Sequence, residues 1–176
     1  WLFHCNPLLS DFITERIGHG WLKDFAQISQ LRDFASDPAS QNTFLEIKEE
    51  NKRRLVRYLY EKNPMRDLFG RVIAPHSVEL DKTSLFACQV KRFHEYKRQL
   101  MNALHLIMVY FDLCEQPNSR AIKRTAVIAG KAAAGYLIAK YVIQLFHCIA
   151  RKINHDQQID HKLKVIFVEN YCVTRA

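Results

Sequence analysis

Two rhythms of apolar residues divide this chain. From Leu8 to Leu59 they recur at three- and four-residue spacing, while from Ser84 onward they come as short continuous runs between longer helical stretches. Leu8, Leu9, Phe12, Ile13 and Ile17 predict a helix that opens at Asn6-Pro7 and ends at Gly18. Trp21, Phe25, Ile28, Leu31 and Phe34 predict a second, ending near Ser36-Asp37. Asp37-Pro38 opens a third, with Phe44, Ile47, Leu55, Tyr58 and Leu59 as its apolar face and a stop near Asn63-Pro64. Met65 to Lys82 is mixed in composition, with breakers at Gly70 and Pro75, and reads as a connecting loop with room for one short strand.

Beyond Thr83 the pattern predicts a buried strand over 84–90, a helix over 96–114, a strand over 124–129, a helix over 134–153 and a strand over 163–168. The order β-α-β-α-β implies parallel strands and an α/β, Rossmann-like sheet preceded by a helical segment. Residues 1–82 are therefore expected to form a helical lead-in and connecting loop, and 83–176 the Rossmann-like half of a domain. Both long helices are apolar on more than one face, as helices packed between a sheet and other elements are.

Composition narrows the class. The 176 residues suffice for one domain with a stable core, and apolar content is ordinary for a globular protein. No run approaches the roughly 18 apolar residues of a membrane span. The opening on Trp1, with no evident signal peptide, and the stop just past a strand-like run lead us to expect a piece of a longer protein. The cysteines, Cys5, Cys88, Cys114, Cys148 and Cys172, are scattered, five in number and without a C-x-x-C pair. That argues against a zinc or redox motif and predicts buried, reduced thiols in a cytosolic protein. The net charge of +8 permits an acidic partner. Part of it, Lys52-Arg53-Arg54, reads as a solvated helix face.

The rest of the charge has a chemical reading. Val90-Lys91-Arg92-Phe93-His94-Glu95-Tyr96-Lys97-Arg98-Gln99 places four cations, a histidine and a phenol at a strand-to-helix junction. Ligands of open α/β sheets bind at such junctions, outside the carboxyl ends of the strands. Parallel strands bring three polar turns to one edge: Lys91, Arg92, Tyr96 and Lys97; then Gly130, Lys131, Gly135 and Tyr136; then Glu169, Asn170 and Tyr171. The attraction of a cation for a phosphate about 4 Å away rises from about 1 to about 4 kcal/mol as the effective dielectric falls from about 80 to about 20. Arginine adds a planar fork for two oxygens. Ala129-Gly130-Lys131-Ala132 is no Walker loop, and no G-x-G-x-x-G exists. His94 reads as a packed, hydrogen-bonded histidine, and Glu95 as a local partner of Lys91 or Arg98.

The cationic decapeptide closely resembles the substrate-phosphate loop of the α-glucan phosphorylases, V-K-R-I-H-E-Y-K-R-Q, with Phe93 in place of isoleucine. The resemblance extends along most of the chain. Trp1-Leu2 with Cys5-Asn6-Pro7 is similar to the W-L-x-x-C-N-P start of the family's C-terminal domain, and Glu15-Arg16-Ile17-Gly18 also fits. Residues 123–140 resemble R-T-V-x-I-G-G-K-A-A-P-G-Y-x-x-A-K, and 163–174 resemble L-K-V-I-F-L-E-N-Y-x-V-S.

The resemblance implies a GT-B glycosyltransferase fold and pyridoxal 5′-phosphate as cofactor. It implies transfer of a terminal glucosyl unit from glycogen or another α-1,4-glucan to inorganic phosphate, giving glucose 1-phosphate. It implies that Arg92 binds the substrate phosphate, that Lys97 lies between the two phosphates, that Lys91 contacts the cofactor phosphate and that Tyr96 lies against the glucosyl and phosphate groups. Trp1 and Tyr171 would line the cofactor pocket, with Cys172 where animal-type members carry an arginine. Tyr136 matches the tyrosine of an aromatic inhibitor site at the catalytic entrance, and Lys131 lies in the same turn. Ala129 replaces a glycine and Ala134 a proline. The family's Schiff-base lysine lies in a glycine-rich segment with no counterpart here, so this chain alone is expected to be inactive. A cytoplasmic parent, likewise implied, would be a homodimer without nucleic-acid or membrane partners. The alternative is a non-catalytic α/β module that binds phosphorylated ligands or nucleic acid through its basic turns.

Overall fold

The computed structural model describes residues 1–62, 65–66, 71–74, 80–117, 121–159 and 162–169. The chain forms two compact units, Trp1–Leu55 and Val56–Ala176.

The first unit is helical. A single turn, α1 (Leu2–Cys5), precedes α2 (Pro7–Ile17). Helix α2 starts where the Asn6 side chain accepts the Leu9 amide at 3.3 Å, with Pro7 at the first helical position. It ends at Gly18, whose φ of 75° favours a residue without a side chain. Phe12 and Ile13 of this helix bury against Trp21 and Ile47. Trp21 is fully buried, and its indole N–H donates to the Thr14 hydroxyl at 3.1 Å.

The helix expected from Trp21 to Phe34 is instead two 3₁₀ segments, His19–Leu22 and Phe25–Phe34. Asp24 separates them, its carboxylate accepting the Ala26 amide at 3.0 Å, and the Ser29 hydroxyl donates to the Ala26 carbonyl at 2.7 Å. Such local side-chain bonds compete with the α-helical ladder. Helix α3 (Pro38–Lys62) opens on Asp37, which accepts the Ser40 amide at 2.8 Å. Hydrogen bonding from the Ser40 side chain and then its amide holds the Asp37 carboxyl below its ordinary pKa. Arg53 on this helix pairs with Glu49 and Glu50, as a solvated face does.

The connecting region contains two short antiparallel strands, β1 (Met65–Arg66) and β2 (Val72–Ala74). After it come β3 (Leu85–Val90), α4 (Gln99–Glu115), β4 (Arg124–Gly130), α5 (Leu137–Asn154) and β5 (Leu163–Glu169). The last three strands form one parallel sheet in the order β3-β4-β5. Strands β4 and β5 are buried along almost their whole length, as near-continuous apolar strands in a parallel sheet are.

Helix α4 presents Ala103, Leu106, Tyr110 and Leu113, and α5 presents Ala139, Val142, Phe146, Ile149 and Ile153, to the core shared with Ala126, Ile128, Leu163, Val165 and Phe167. Asn154 joins the end of α5 to the start of β5, donating to the Val165 carbonyl at 2.7 Å and accepting its amide at 2.9 Å.

Two expectations fail here. Strand β3 reads as buried in the sequence, but Leu85, Ala87, Cys88 and Val90 are exposed. Beside it, Asn102 of α4 donates to Gln89 of β3 at 2.9 Å. The outer stripe of α4, made of Leu100, Met101, Leu104, Met108 and Phe111, is exposed. Among the described residues the cysteines are not buried either: Cys88 and Cys148 are exposed, Cys5 and Cys114 half-buried, and none of the four forms a disulfide. No helix among the described residues is long and apolar enough to cross a membrane.

Candidate phosphate-binding site

Parallel pairing aligns the carboxyl ends of the strands. Val90 stands beside Ala129, Ala129 beside Val168, and Gly130 beside Glu169. The ladder then continues past the end of β3. The Lys91 amide donates to the Ala129 carbonyl and the Phe93 amide to the Lys131 carbonyl, each at 3.0 Å. The cationic turn is thus fastened to the turn after β4 through the main chain.

Phe93 anchors it. This side chain is 2% exposed and packs edge-on to Phe146 at 5.9 Å and tilted to Phe167 at 5.7 Å. The swap from isoleucine therefore falls on a core contact. Lys91 and Arg92, just before it, are left exposed. Gly130 permits the close approach: a Cβ there would meet the Lys91 carbonyl oxygen at 2.4 Å and the Phe93 ring at 2.7 Å.

Aromatic groups brace the other side. The His94 ring lies 4.5 Å from that of Tyr96 and 5.0 Å from that of Tyr136. His94 Nδ1 accepts the Tyr96 amide at 3.3 Å, so a neutral ring carries its proton on Nε2. His94 is accordingly a packed histidine. Partial burial raises the Tyr136 phenol above its ordinary pKa.

The charge of the turn is not neutralised. Among the described residues none of Lys91, Arg92, Lys97, Arg98 and Lys131 forms an ion pair, although Glu95 had been expected to pair with Lys91 or Arg98. Lys97 Nζ donates to the Arg92 carbonyl at 2.7 Å. Gln99 is 2% exposed, and its amide reaches back to Lys91, Arg92 and His94. Nothing in the residue pattern singled it out, since a glutamine at the head of a helix is an ordinary helix former.

The structure therefore brings Lys91, Arg92, Tyr96, Lys97, Lys131 and Tyr136 to one edge of the sheet. Glu169 ends β5 on that edge, while Asn170, Tyr171 and Cys172 lie outside the described residues. Trp1 belongs to the first unit, where it is exposed and accepts the His4 and Cys5 amides.

The sequence profile of the family described as carbohydrate phosphorylase matches residues 1–176. The chain belongs to the carbohydrate phosphorylase family. Its parallel sheet and flanking helices form a Rossmann-like part of a phosphorylase. It is 39% identical over its whole length to the glycogen phosphorylase of Chlamydia pneumoniae and 39% to the liver form of glycogen phosphorylase from Homo sapiens. It is 40% identical to the muscle form from Oryctolagus cuniculus. The matches cover 20%, 19% and 19% of those proteins, so the chain spans about a fifth of the length of these relatives.

Proposed function

We propose that this chain is part of an α-1,4-glucan phosphorylase, which transfers the terminal glucosyl unit of glycogen or maltodextrin to inorganic phosphate and releases glucose 1-phosphate. One observation carries the reading: Lys91, Arg92 and Lys97 converge on the carboxyl edge of a parallel sheet with no carboxylate paired to them among the described residues. Fixed cations left unpaired at a strand-to-helix turn form an anion site.

Arg92 binds the substrate phosphate through its fork. Lys91 and Lys97 would hold the phosphate of pyridoxal 5′-phosphate, with Lys97 shared with the substrate phosphate. The donor set fits the cofactor's phosphate, since these lysines offer ammonium groups and Gly130 keeps the turn close to β4. The chemistry supplied there by the cofactor's phosphate would be proton exchange with the substrate phosphate. Two phosphates held close repel one another, and the three cations offset that repulsion. Tyr96, 84% exposed, lies against the glucosyl group. Tyr136 and Lys131 form a second ligand position at the entrance. The parent works in the cytoplasm as a homodimer, on glucan and phosphate and without nucleic acid.

The test is Arg92→Ala in the complete phosphorylase. Glucose 1-phosphate formation is expected to collapse at saturating phosphate while bound cofactor is retained. Near-normal turnover removes Arg92 from the site.

A further inference from the structure

The cationic turn is held from inside by one buried amide. Gln99 Nε2 donates to the Lys91 carbonyl at 3.3 Å and to the Arg92 carbonyl at 3.2 Å, and Oε1 accepts the His94 amide at 3.2 Å. Both amide hydrogens are used, each on a different peptide group. The orientation of the amide follows from its partners: turned over, it would set its oxygen against two carbonyls and its NH₂ against an N–H. These bonds fix the peptide planes that follow Lys91 and Arg92, and hence the directions in which those two side chains leave the main chain. The Arg92 carbonyl is also the acceptor for Lys97 Nζ. With Gln99 in place, that oxygen has a second donor and does not depend on the lysine.

We propose that Gln99 is a positioning residue for phosphate. It holds Arg92 and Lys91 in their binding directions and frees the Lys97 ammonium to turn from a carbonyl to an anion, while touching no substrate itself. This rests on the reading of the turn as the phosphate site. It goes further by assigning that site's affinity to a side chain that faces away from it.

The test uses the complete phosphorylase with Gln99→Met, Gln99→Glu and, in parallel, Arg92→Lys. Methionine keeps the shape and has neither donor. Glutamate keeps the shape and suits the positive end of a helix, so helix α4 survives in that variant. For Gln99→Met the KM for phosphate is expected to rise about tenfold, the equivalent of one net hydrogen bond, with the KM for glucan and the bound cofactor unchanged. Gln99→Glu is expected to show the same defect near neutral pH. Its ratio to the native KM should shrink as pH falls, because a protonated carboxyl regains one donor. A phosphate KM within about twofold of native in both variants overturns the proposal, being less than one net hydrogen bond. So do phosphate and glucan constants that rise together with loss of cofactor. If Arg92→Lys leaves the phosphate KM native, the phosphate-site reading itself fails. If Arg92→Lys is impaired and the Gln99 variants are native, only the positioning role fails.

Discussion

The Tyr136 hydroxyl accepts the backbone N–H of Glu95 at 3.0 Å, across 41 positions of sequence. It is the one side-chain bond among the described residues that ties the turn after β4 to the turn after β3. Removing it loosens the cationic turn without touching a cation. In Tyr136→Phe, hydrogen exchange at the Glu95 amide is expected to speed up by about tenfold, the equivalent of one net hydrogen bond. An unchanged exchange rate at that amide contradicts the tie.

Gly130→Ala tests the close approach of the two turns. The new Cβ would sit 2.4 Å from the Lys91 carbonyl oxygen, and a backbone atom cannot swing aside as a side-chain tip can. Overpacking of this kind costs roughly 1–3 kcal/mol. The complete enzyme is expected to melt lower and to bind phosphate more weakly. A variant with native melting temperature and native phosphate KM shows that the turn tolerates the shift.

Phe146→Ala tests the core beneath the site. Phe146 is fully buried and packs against Phe93. Its truncation is expected to cost about 3–5 kcal/mol, seen as a lowered melting temperature, because the cavity lies between a helix and the sheet. A loss under about 1 kcal/mol, the scale of a tolerated volume-conserving swap, means that this core is not packed as described.

Acid stability has an identifiable contributor. Asp156 accepts the Tyr110 hydroxyl at 2.5 Å and Lys152 Nζ at 3.2 Å, and these bonds hold its carboxyl at a pKa of about 2 instead of the ordinary 3.8. The folded pKa is depressed, so the stabilisation is complete above the unfolded value and fades as pH falls from 3.8 towards 2. Tyr110→Phe removes the main donor and should return the Asp156 titration towards 3.8, which carboxyl NMR would follow. A titration that stays near 2 assigns the depression to Lys152 and the Gln158 amide.

The 176-residue chain alone is expected to give no glucose 1-phosphate from glycogen and phosphate, and no single-site, borohydride-trappable adduct with pyridoxal phosphate. The cations are present, and the anchoring lysine segment that the resemblance implies for the proposed cofactor has no counterpart among these residues. Detecting either product would mean that the chemistry lies elsewhere in this chain.

Much of this was legible from the residues, and what was missed follows a pattern. Strands β4 and β5 could be read because buried parallel strands are almost uniformly apolar. The edge position of the decapeptide could be read because parallel strands bring the turns at their carboxyl ends together. The stretch from Trp21 to Phe34 misled because its apolar spacing is helical, while Asp24 and Ser29 redirect the backbone locally. Strand β3 misled because an apolar run does not reveal whether its faces are covered. Gln99 and the Tyr136–Glu95 tie were invisible, since each depends on where a distant or reversed segment comes to rest.

The exposed face of α4 has a practical meaning for anyone purifying these residues. Leu100, Met101, Leu104, Met108 and Phe111 leave an apolar stripe open to solvent along this helix. Exposed apolar surface of this kind draws neighbouring molecules together. Shelf life in the tube will therefore be governed by collisions between copies, and dilution will protect the preparation.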